Sequence, residues 1–433
     1  MAPEIIGVIG FVSLLLLIAF RVPVAIAMGI VGLVGGYIIN GPDSIGFILG
    51  ATPFETVFPY GLSVVPLFIL MGAFATHAGL SGSLYKAIYT WIGHFRGGLA
   101  IATVGACGAF GAICGSSLAT AATMTKVSMP EMRKRGYDEG LASASIAAGG
   151  TLGVLIPPSI IIIIYAILTE ASIGKLFAAA LLPGCLAVIL YMLAISIRTW
   201  LNPALGPRGE RRSWGERIAA LVSIWHIVLL FVLVIGGIYV GWFSPTEAAS
   251  VGVFGAFFLA LTVGRIGLGT FLGCLKETAA TSGMIFLILI GTAVFNFFIE
   301  TTMLPTLLAD WIVSSSLSPM AILLCILLFY VILGCFMDSL SMILLTLPVL
   351  FPVVQALNFD VIWFGIVVLS VVEIGLITPP VGMNLFVIMA AYPEVRLKSL
   401  YLGVIPFLLA DVVRVTLLIL FPALTLWLPS LIV

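Results

Sequence analysis

The stretch "GVLIPPSIII", residues 153–162, decides the fold of this chain. Two adjacent prolines cannot continue an α-helix, because each lacks the backbone N–H and each clashes with the preceding turn. Yet the residues on both sides read as a membrane span. Lipid offers no water to the carbonyls that such a break frees, so it is tolerated only where the freed backbone lines a cavity or is buried in protein. A second copy follows: "GLITPPV" places Pro379-Pro380 at 379 − 157 = 222 residues beyond the first pair, and Gly375 at 375 − 153 = 222 beyond Gly153. Upstream, "CGSSLA" begins at Cys114 and "FMDSLS" at Phe336, again 336 − 114 = 222 apart, so that Ser117 and Leu118 fall on Ser339 and Leu340. One Pro-Pro pair alone reads as a kink. Two pairs, each following a polar tip by the same spacing, are an internal repeat.

Composition sets the class around that repeat. Of 433 residues, 62% are hydrophobic and 8% charged, against roughly 25% charged in a soluble domain, which makes this a polytopic membrane protein. Eighteen Lys and Arg balance eighteen Asp and Glu, so no bulk charge argues for nucleic acid. The N-terminus lacks a basic region and a small-residue cleavage site, and reads as a first span rather than a cleaved signal. Cys107, Cys114, Cys185, Cys274, Cys325 and Cys335 are scattered in apolar stretches without a CxxC pair and read as small buried hydrophobes.

A crossing takes about 20 apolar residues. Spans are expected at 4–20, 22–39, 61–78, 139–168, 176–198, 218–240, 248–264, 279–299, 361–391 and 399–427. Residues 97–132 and 318–353 are apolar but interrupted, by "CGSS" and "FMDSLS", and read as re-entrant hairpins. Residues 81–96 mix charge and aromatics, as an interfacial helix does. Arg133, Lys134 and Arg135, the arginines at 198, 208, 211, 212 and 217, Arg265 and Lys276, and Arg396 and Lys398 all reach the cytoplasm if 97–132 enters and leaves on that side. No Lys or Arg stands between Lys276 and Arg396, so the second hairpin faces outward, as do both termini. The expected fold is therefore an all-α polytopic membrane protein of inverted-topology repeats, with two re-entrant hairpins and two broken helices. Its parts are N-terminal scaffold spans (1–60), repeat 1 (61–198), a basic loop with linking spans (199–278) and repeat 2 (279–433). This construction is typical of secondary transporters with a site near the membrane midplane.

The chemistry of such breaks is specific. Half-helix N-termini carry partial positive charge and face anions, while unwound carbonyls and hydroxyls hold cations. The tips supply serine oxygens, and Asp338 supplies the single formal charge at either tip. Hard oxygen donors suit a small cation such as Na⁺. No GxxxxGK[ST] loop is present, so any ATPase would be another chain. The three histidines show no neighbour pattern of an intramembrane protease. A channel stays open as a reading, although paired hairpins and broken helices fit alternating access better.

The run "GSSLATAATMTKVSMPEMRKRGYDEGLASASIAAGGTLGVLIPPSIIIIIYAI", with "DSLSMILLTLPVLFPV" and "EIGLITPPVGMNLFVI", resembles the large membrane subunit of tripartite ATP-independent periplasmic (TRAP) transporters over essentially the whole chain. The resemblance implies an elevator-type symporter of Na⁺ and a small organic acid, and therefore no enzyme. It implies two partners: a four-helix small membrane subunit, expected as a separate polypeptide, and a periplasmic substrate-binding protein. It places the chain in a bacterial inner membrane, amid lipid. By matching motif, one Na⁺ site is expected around Ser116, Ser117 and Thr120 with backbone near Gly153. The other is expected around Asp338, Ser339 and Ser341 with backbone near Gly375 and Thr378. Substrate is expected near Gly115, Pro157, Pro158 and Ser159, and near Pro379, Pro380 and Asn384. A self-sufficient Na⁺/dicarboxylate symporter of the same architecture is the rival reading.

Each hydroxyl also has a bland reading, a bond back to its own helix. Ser116 answers to Asp338, so the two cation sites are not expected to be equivalent. Glu373, six residues before Pro379, is a functional candidate as an intramembrane carboxylate, or else caps the unwound segment or binds a partner helix. Asp411 and Arg414 stand i,i+3 on the last span and read as a structural pair. His77, His94 and His226 read as interfacial or packed. Trp91, Trp200, Trp214, Trp225 and Trp242 lie near proposed span ends, where indole suits the headgroup region.

Overall fold

The computed structural model describes residues 2–263, 266–315 and 317–432; Arg265, one of the basic residues used to orient the chain, lies outside them. The described residues form helices joined by short connections. The chain opens with α1 (Pro3–Ala19), α2 (Val24–Asn40), α3 (Pro42–Gly50) and α4 (Thr52–Val57). The first repeat follows as α5 (Val64–His77), α6 (Leu80–Ile92), α7 (Gly98–Cys114), α8 (Ser117–Lys134), α9 (Glu139–Leu155), α10 (Ile160–Leu168) and α11 (Ile173–Leu201). A link comprises α12 (Trp214–Ser223), α13 (Trp225–Phe231) continued through a π turn into α14 (Gly237–Tyr239), and α15 (Pro245–Thr262). The second repeat is α16 (Leu268–Thr301), α17 (Leu304–Ser314), α18 (Pro319–Gly334), α19 (Ser339–Ala356), α20 (Val361–Gly375), α21 (Met383–Ala391) and α22 (Leu397–Leu420), before a short α23 (Ala423–Leu426).

The repeat is legible in this order of helices. Adding 222 to the bounds of α8 gives 339–356, the bounds of α19. The same shift carries α9 from 139–155 to 361–377 and α10 from 160–168 to 382–390, beside α20 and α21. It also carries α6 from 80–92 to 302–314, onto α17. Helix α17 and the short α3 and α4 are elements for which the sequence reading had no place. In α17 the only charge is Asp310, so the aromatic-and-basic pattern that marks α6 is missing.

Local chemistry explains the boundaries. Gly115 takes a left-handed conformation (φ 66°) that ends α7, and Ser116 in extended conformation caps α8, its side chain accepting from the Ala119 N–H. Helices α7 and α8 pack against each other, as the first hairpin requires. Asp138 caps α9 by accepting from the Leu141 N–H at 2.8 Å. The prolines then stop α9, and α10 restarts at Ile160 with a bend of 41°. Both Pro-Pro peptide bonds are cis.

One expected span needs correction. Residues 218–240 do not form one continuous helix: the chain bends by 46° between Ser223 and Trp225. Helix α12 carries a reciprocal cap between Ser213 and Glu216 and lies against α6. Arg217, 6% exposed, sits 5.9 Å from the Trp91 ring and 5.3 Å from the Trp214 ring, and its carbonyl accepts from Trp91 Nε1 at 3.0 Å. A charged, aromatic-flanked turn of this kind is held beside α6.

The chain divides into two compact units. One holds residues 1–63, 279–326 and 340–361. Within it α1 and α2 meet the C-terminal part of α16 through glycines: a Cβ on Gly32 would lie 2.6 Å from the Val294 carbonyl oxygen, and one on Gly291 2.4 Å from that of Ala25. The other unit holds 64–278, 327–339 and 362–433. Its core includes Val104, Met124, Leu141, Leu152, Tyr191 and Phe407, from five different helices. Both Pro-Pro breaks and residues 115–117 and 335–339 fall in this second unit.

Candidate functional site

The first break is a tight assembly of backbone and hydroxyl oxygens. A Cβ on Gly153 would stand 2.6 Å from Thr120 Oγ1 and 2.7 Å from the Ser116 carbonyl oxygen; a Cβ on Gly115 would stand 3.0 Å from the Pro158 carbonyl oxygen. Only glycine lets these strands of backbone approach so closely. Gly115, Ser116, Thr120, Gly153 and Pro158 are thereby brought together. Thr120 is fully buried and its Oγ1 has no hydrogen-bond partner among the described residues. Ser159, also fully buried, opens α10 without capping it, and its Oγ likewise has none. Buried polar atoms are almost always satisfied, so two such oxygens at one break make it a candidate site. Ser117 is buried at the start of α8, while the Ser116 hydroxyl is spent in part on its cap.

The second break repeats the plan with different chemistry. Gly375 faces Gly334, a Cβ on it falling 2.5 Å from the Gly334 Cα, as Gly153 faces Gly111, whose own Cβ would fall 2.5 Å from the Gly153 Cα. The Gly382 N–H donates to the Cys335 carbonyl at 3.2 Å, tying the start of α21 to the tip that follows α18. Ser339 Oγ donates to Glu373 Oε1 at 2.9 Å. Asp338 is half-buried in the same tip. Thr378 follows the bland reading, its Oγ1 donating back to the Ile374 carbonyl at 2.6 Å, which leaves its oxygen lone pairs and its backbone available. Ser341 is buried and belongs to the other compact unit. Pro157 and Pro158 are buried, whereas Pro380 is exposed and its carbonyl accepts the Tyr401 hydroxyl.

Asn384 joins the two breaks. It is fully buried on α21, and its Nδ2 donates to the Ala147 carbonyl of α9 at 3.2 Å. Its Oδ1 has no partner among the described residues. A Cβ on Gly150 would be 2.9 Å from the Ala121 Cβ and 3.3 Å from Asn384 Nδ2, so α8, α9 and α21 converge around this side chain.

Behind the breaks runs a buried polar chain that the sequence showed only in part. Arg414 Nη2 pairs with Asp411 Oδ1 at 2.9 Å, the expected i,i+3 pair, and also donates to the Ser370 carbonyl at 3.1 Å. The Tyr191 hydroxyl lies 2.8 Å from both Asp411 oxygens and 3.3 Å from Thr151 Oγ1. Nothing in sequence spacing links Tyr191 or Thr151 to residue 411. Outside the spans, burial and the neighbouring Arg217 and Arg211 push the His94 pKa below the ordinary histidine value, and Arg217 Nη2 stands 3.4 Å from His94 Nδ1.

Comparison with known proteins places these features in a family. The family model described as "Tripartite ATP-independent periplasmic transporter, DctM component" matches residues 11–424. The chain is 38% identical over 392 residues, 90% of each protein, to the C4-dicarboxylate TRAP transporter large permease of Pseudomonas aeruginosa. It is 34% identical to the sialic acid large permease of Vibrio cholerae, over 86% of this chain and 87% of that one. It is 33% identical to the ectoine large permease of Halomonas elongata, with the same coverage. In fold it is similar to the YdaH transporter of Alcanivorax borkumensis, with a TM-score of 0.65 at 14% identity over 99% of this chain and 100% of that one. The broken-helix repeat, the spans and the match over residues 11–424 agree, and the chain belongs to the family of TRAP transporter large membrane subunits, which are multi-pass transport proteins rather than enzymes.

Proposed function

We propose that this subunit moves a small organic acid anion together with Na⁺, by an elevator motion of the compact unit that holds both helix breaks. The observation that carries the reading is the group of buried oxygens without hydrogen-bond partners among the described residues at these breaks: Thr120 Oγ1, Ser159 Oγ and Asn384 Oδ1. They stand on α8, α10 and α21, three helices whose first turns begin at or beside the breaks. Neutral oxygen donors favour a small hard cation, and helix N-termini favour an anion. The relatives' names, with C4-dicarboxylate, sialic acid and ectoine, support an organic acid as the cargo class. Family membership supports a small membrane subunit and a periplasmic binding protein as partners. Family membership supports the bacterial inner membrane, and the distribution of Lys and Arg supports both termini periplasmic.

Reconstitution tests the reading. Proteoliposomes holding this chain and its small subunit should accumulate substrate only with an inward Na⁺ gradient and the cognate binding protein present. Equal uptake with K⁺ in place of Na⁺, or without the binding protein, would refute it.

A further inference from the structure

We infer that Glu373 is the counter-charge of the second cation site, acting on the cation through Ser339. The inference deepens the Na⁺-coupled reading and rests on it. Glu373 is 1% exposed on α20. Its Oε1 accepts the Ser339 hydroxyl hydrogen at 2.9 Å, and its Oε2 has no hydrogen-bond partner among the described residues. No ion pair reaches it among them either: Arg414 is the buried cation of this region, and its short contacts go to Asp411 and to the Ser370 carbonyl. Arg414 is paired with Asp411 and reaches Glu373 only as a more distant charge. Glu373 is then a carboxyl group in a low-dielectric interior without an ion-pair partner among the described residues, and such a group carries its charge only when a cation compensates it.

The geometry says what compensates it. A serine that ligates a cation offers its oxygen lone pairs and must send its hydrogen elsewhere. Ser339 sends its hydrogen to Glu373, which aims the lone pairs away from that carboxylate and raises their donor strength, as outer-shell acceptors do for metal-bound side chains. The repeat isolates the feature. Shifting Glu373 back by 222 gives Thr151, as shifting Asp338 gives Ser116. Thr151 is a neutral residue committed to the Ala148 carbonyl and to Tyr191. One half thus presents two carboxylates where the other presents two hydroxyls. Glu373 is a positioning residue in this scheme, and the second site is the one whose affinity depends on protein charge.

The test uses the full chain purified with its small subunit. Glu373→Gln keeps the shape and an acceptor for the Ser339 hydroxyl, and removes only the charge. Melting temperature is followed against NaCl, with choline chloride as the control salt, alongside Na⁺-dependent uptake. The expected result is a melting temperature in choline equal to or above wild type, with the NaCl concentration for half-maximal stabilisation and for half-maximal uptake raised at least tenfold. Glu373→Asp should recover part of the loss. Glu373→Gln on top of Ser339→Ala should add little, because Glu373 acts on the cation only through Ser339. A Glu373→Gln protein with wild-type NaCl dependence overturns the inference while leaving Na⁺ coupling intact. A lowered melting temperature in choline with unchanged NaCl dependence makes Glu373 structural and overturns it as well. Wild-type protein that responds alike to NaCl and choline overturns the Na⁺-coupled reading itself.

Discussion

Asn384 Nδ2 donates to the Ala147 carbonyl at 3.2 Å, so the broken helix of the second repeat is fastened to that of the first across 384 − 147 = 237 residues of chain. This bond ties α21 to α9. Asn384→Ala should therefore lower transport at least about tenfold, with a melting temperature only a few degrees below wild type, since one buried hydrogen bond is worth about 1 kcal/mol. Uptake within twofold of wild type would show that the fastening does not matter.

Gly153 has no room for a methyl group between Thr120 Oγ1 and the Ser116 carbonyl. Gly153→Ala should push α8 from α9, costing about 1–3 kcal/mol, and abolish Na⁺-dependent uptake. Gly283→Ala is the matched control. It lies within α16 with nothing within 4 Å of an added Cβ, and alanine there should be neutral or stabilising by about 0.5–1 kcal/mol. Comparable losses from the two substitutions would remove the packing argument.

Asp338 and Ser116 occupy equivalent positions of the two halves. A carboxylate near Na⁺ interacts far more strongly in a low dielectric than in water. Asp338→Asn should raise the Na⁺ requirement more than Ser116→Ala does, at normal membrane levels of both proteins. Equal effects would mean that the tip charge is not used for the cation.

Sidedness tests the inverted repeat. Tyr137 is unsuitable as a reporter, being buried with its hydroxyl bonded to the Leu99 N–H and the Pro207 carbonyl, but Lys134 and Gln355 are exposed near the ends of α8 and α19. In a cysteine-free background, Cys at 355 should react with an impermeant thiol reagent on intact cells and Cys at 134 should not. Labelling of both from one side would defeat the opposed orientation of the halves.

His94 sets a pH response. Burial and Arg217 hold its pKa below the ordinary histidine value, so the folded protein holds fewer protons at this residue than the unfolded chain. Stability is lost as pH falls below about 6.5, the unfolded value, where a protonated ring can no longer accept from Arg217. The melting temperature should drop between about pH 7.5 and 5.5, and less steeply in His94→Asn. An unchanged slope in that variant would acquit His94.

Much of this protein is written in one dimension. Apolar runs long enough to cross lipid, prolines that end a helix wherever they fall, and a spacing of 222 residues are properties of the chain alone. They suffice for the membrane class, the broken helices, the repeat and the family resemblance. The interruption at "CGSS" likewise announced the turn at Gly115. The bend before Trp225 was not legible, because residues 218–240 read as one apolar run, and the contacts of Arg217 with Trp91 and Trp214 are made only in three dimensions. The partner of each polar side chain was decided in three dimensions. Thr378 and Ser339 are both hydroxyls beside a break, yet one bonds back to its own helix and the other reaches Glu373. Tyr191 meets Asp411 across 411 − 191 = 220 residues. Periodicity tells which residues share a helix face, whereas the choice among buried hydrogen-bond partners depends on which helices the tertiary packing sets side by side.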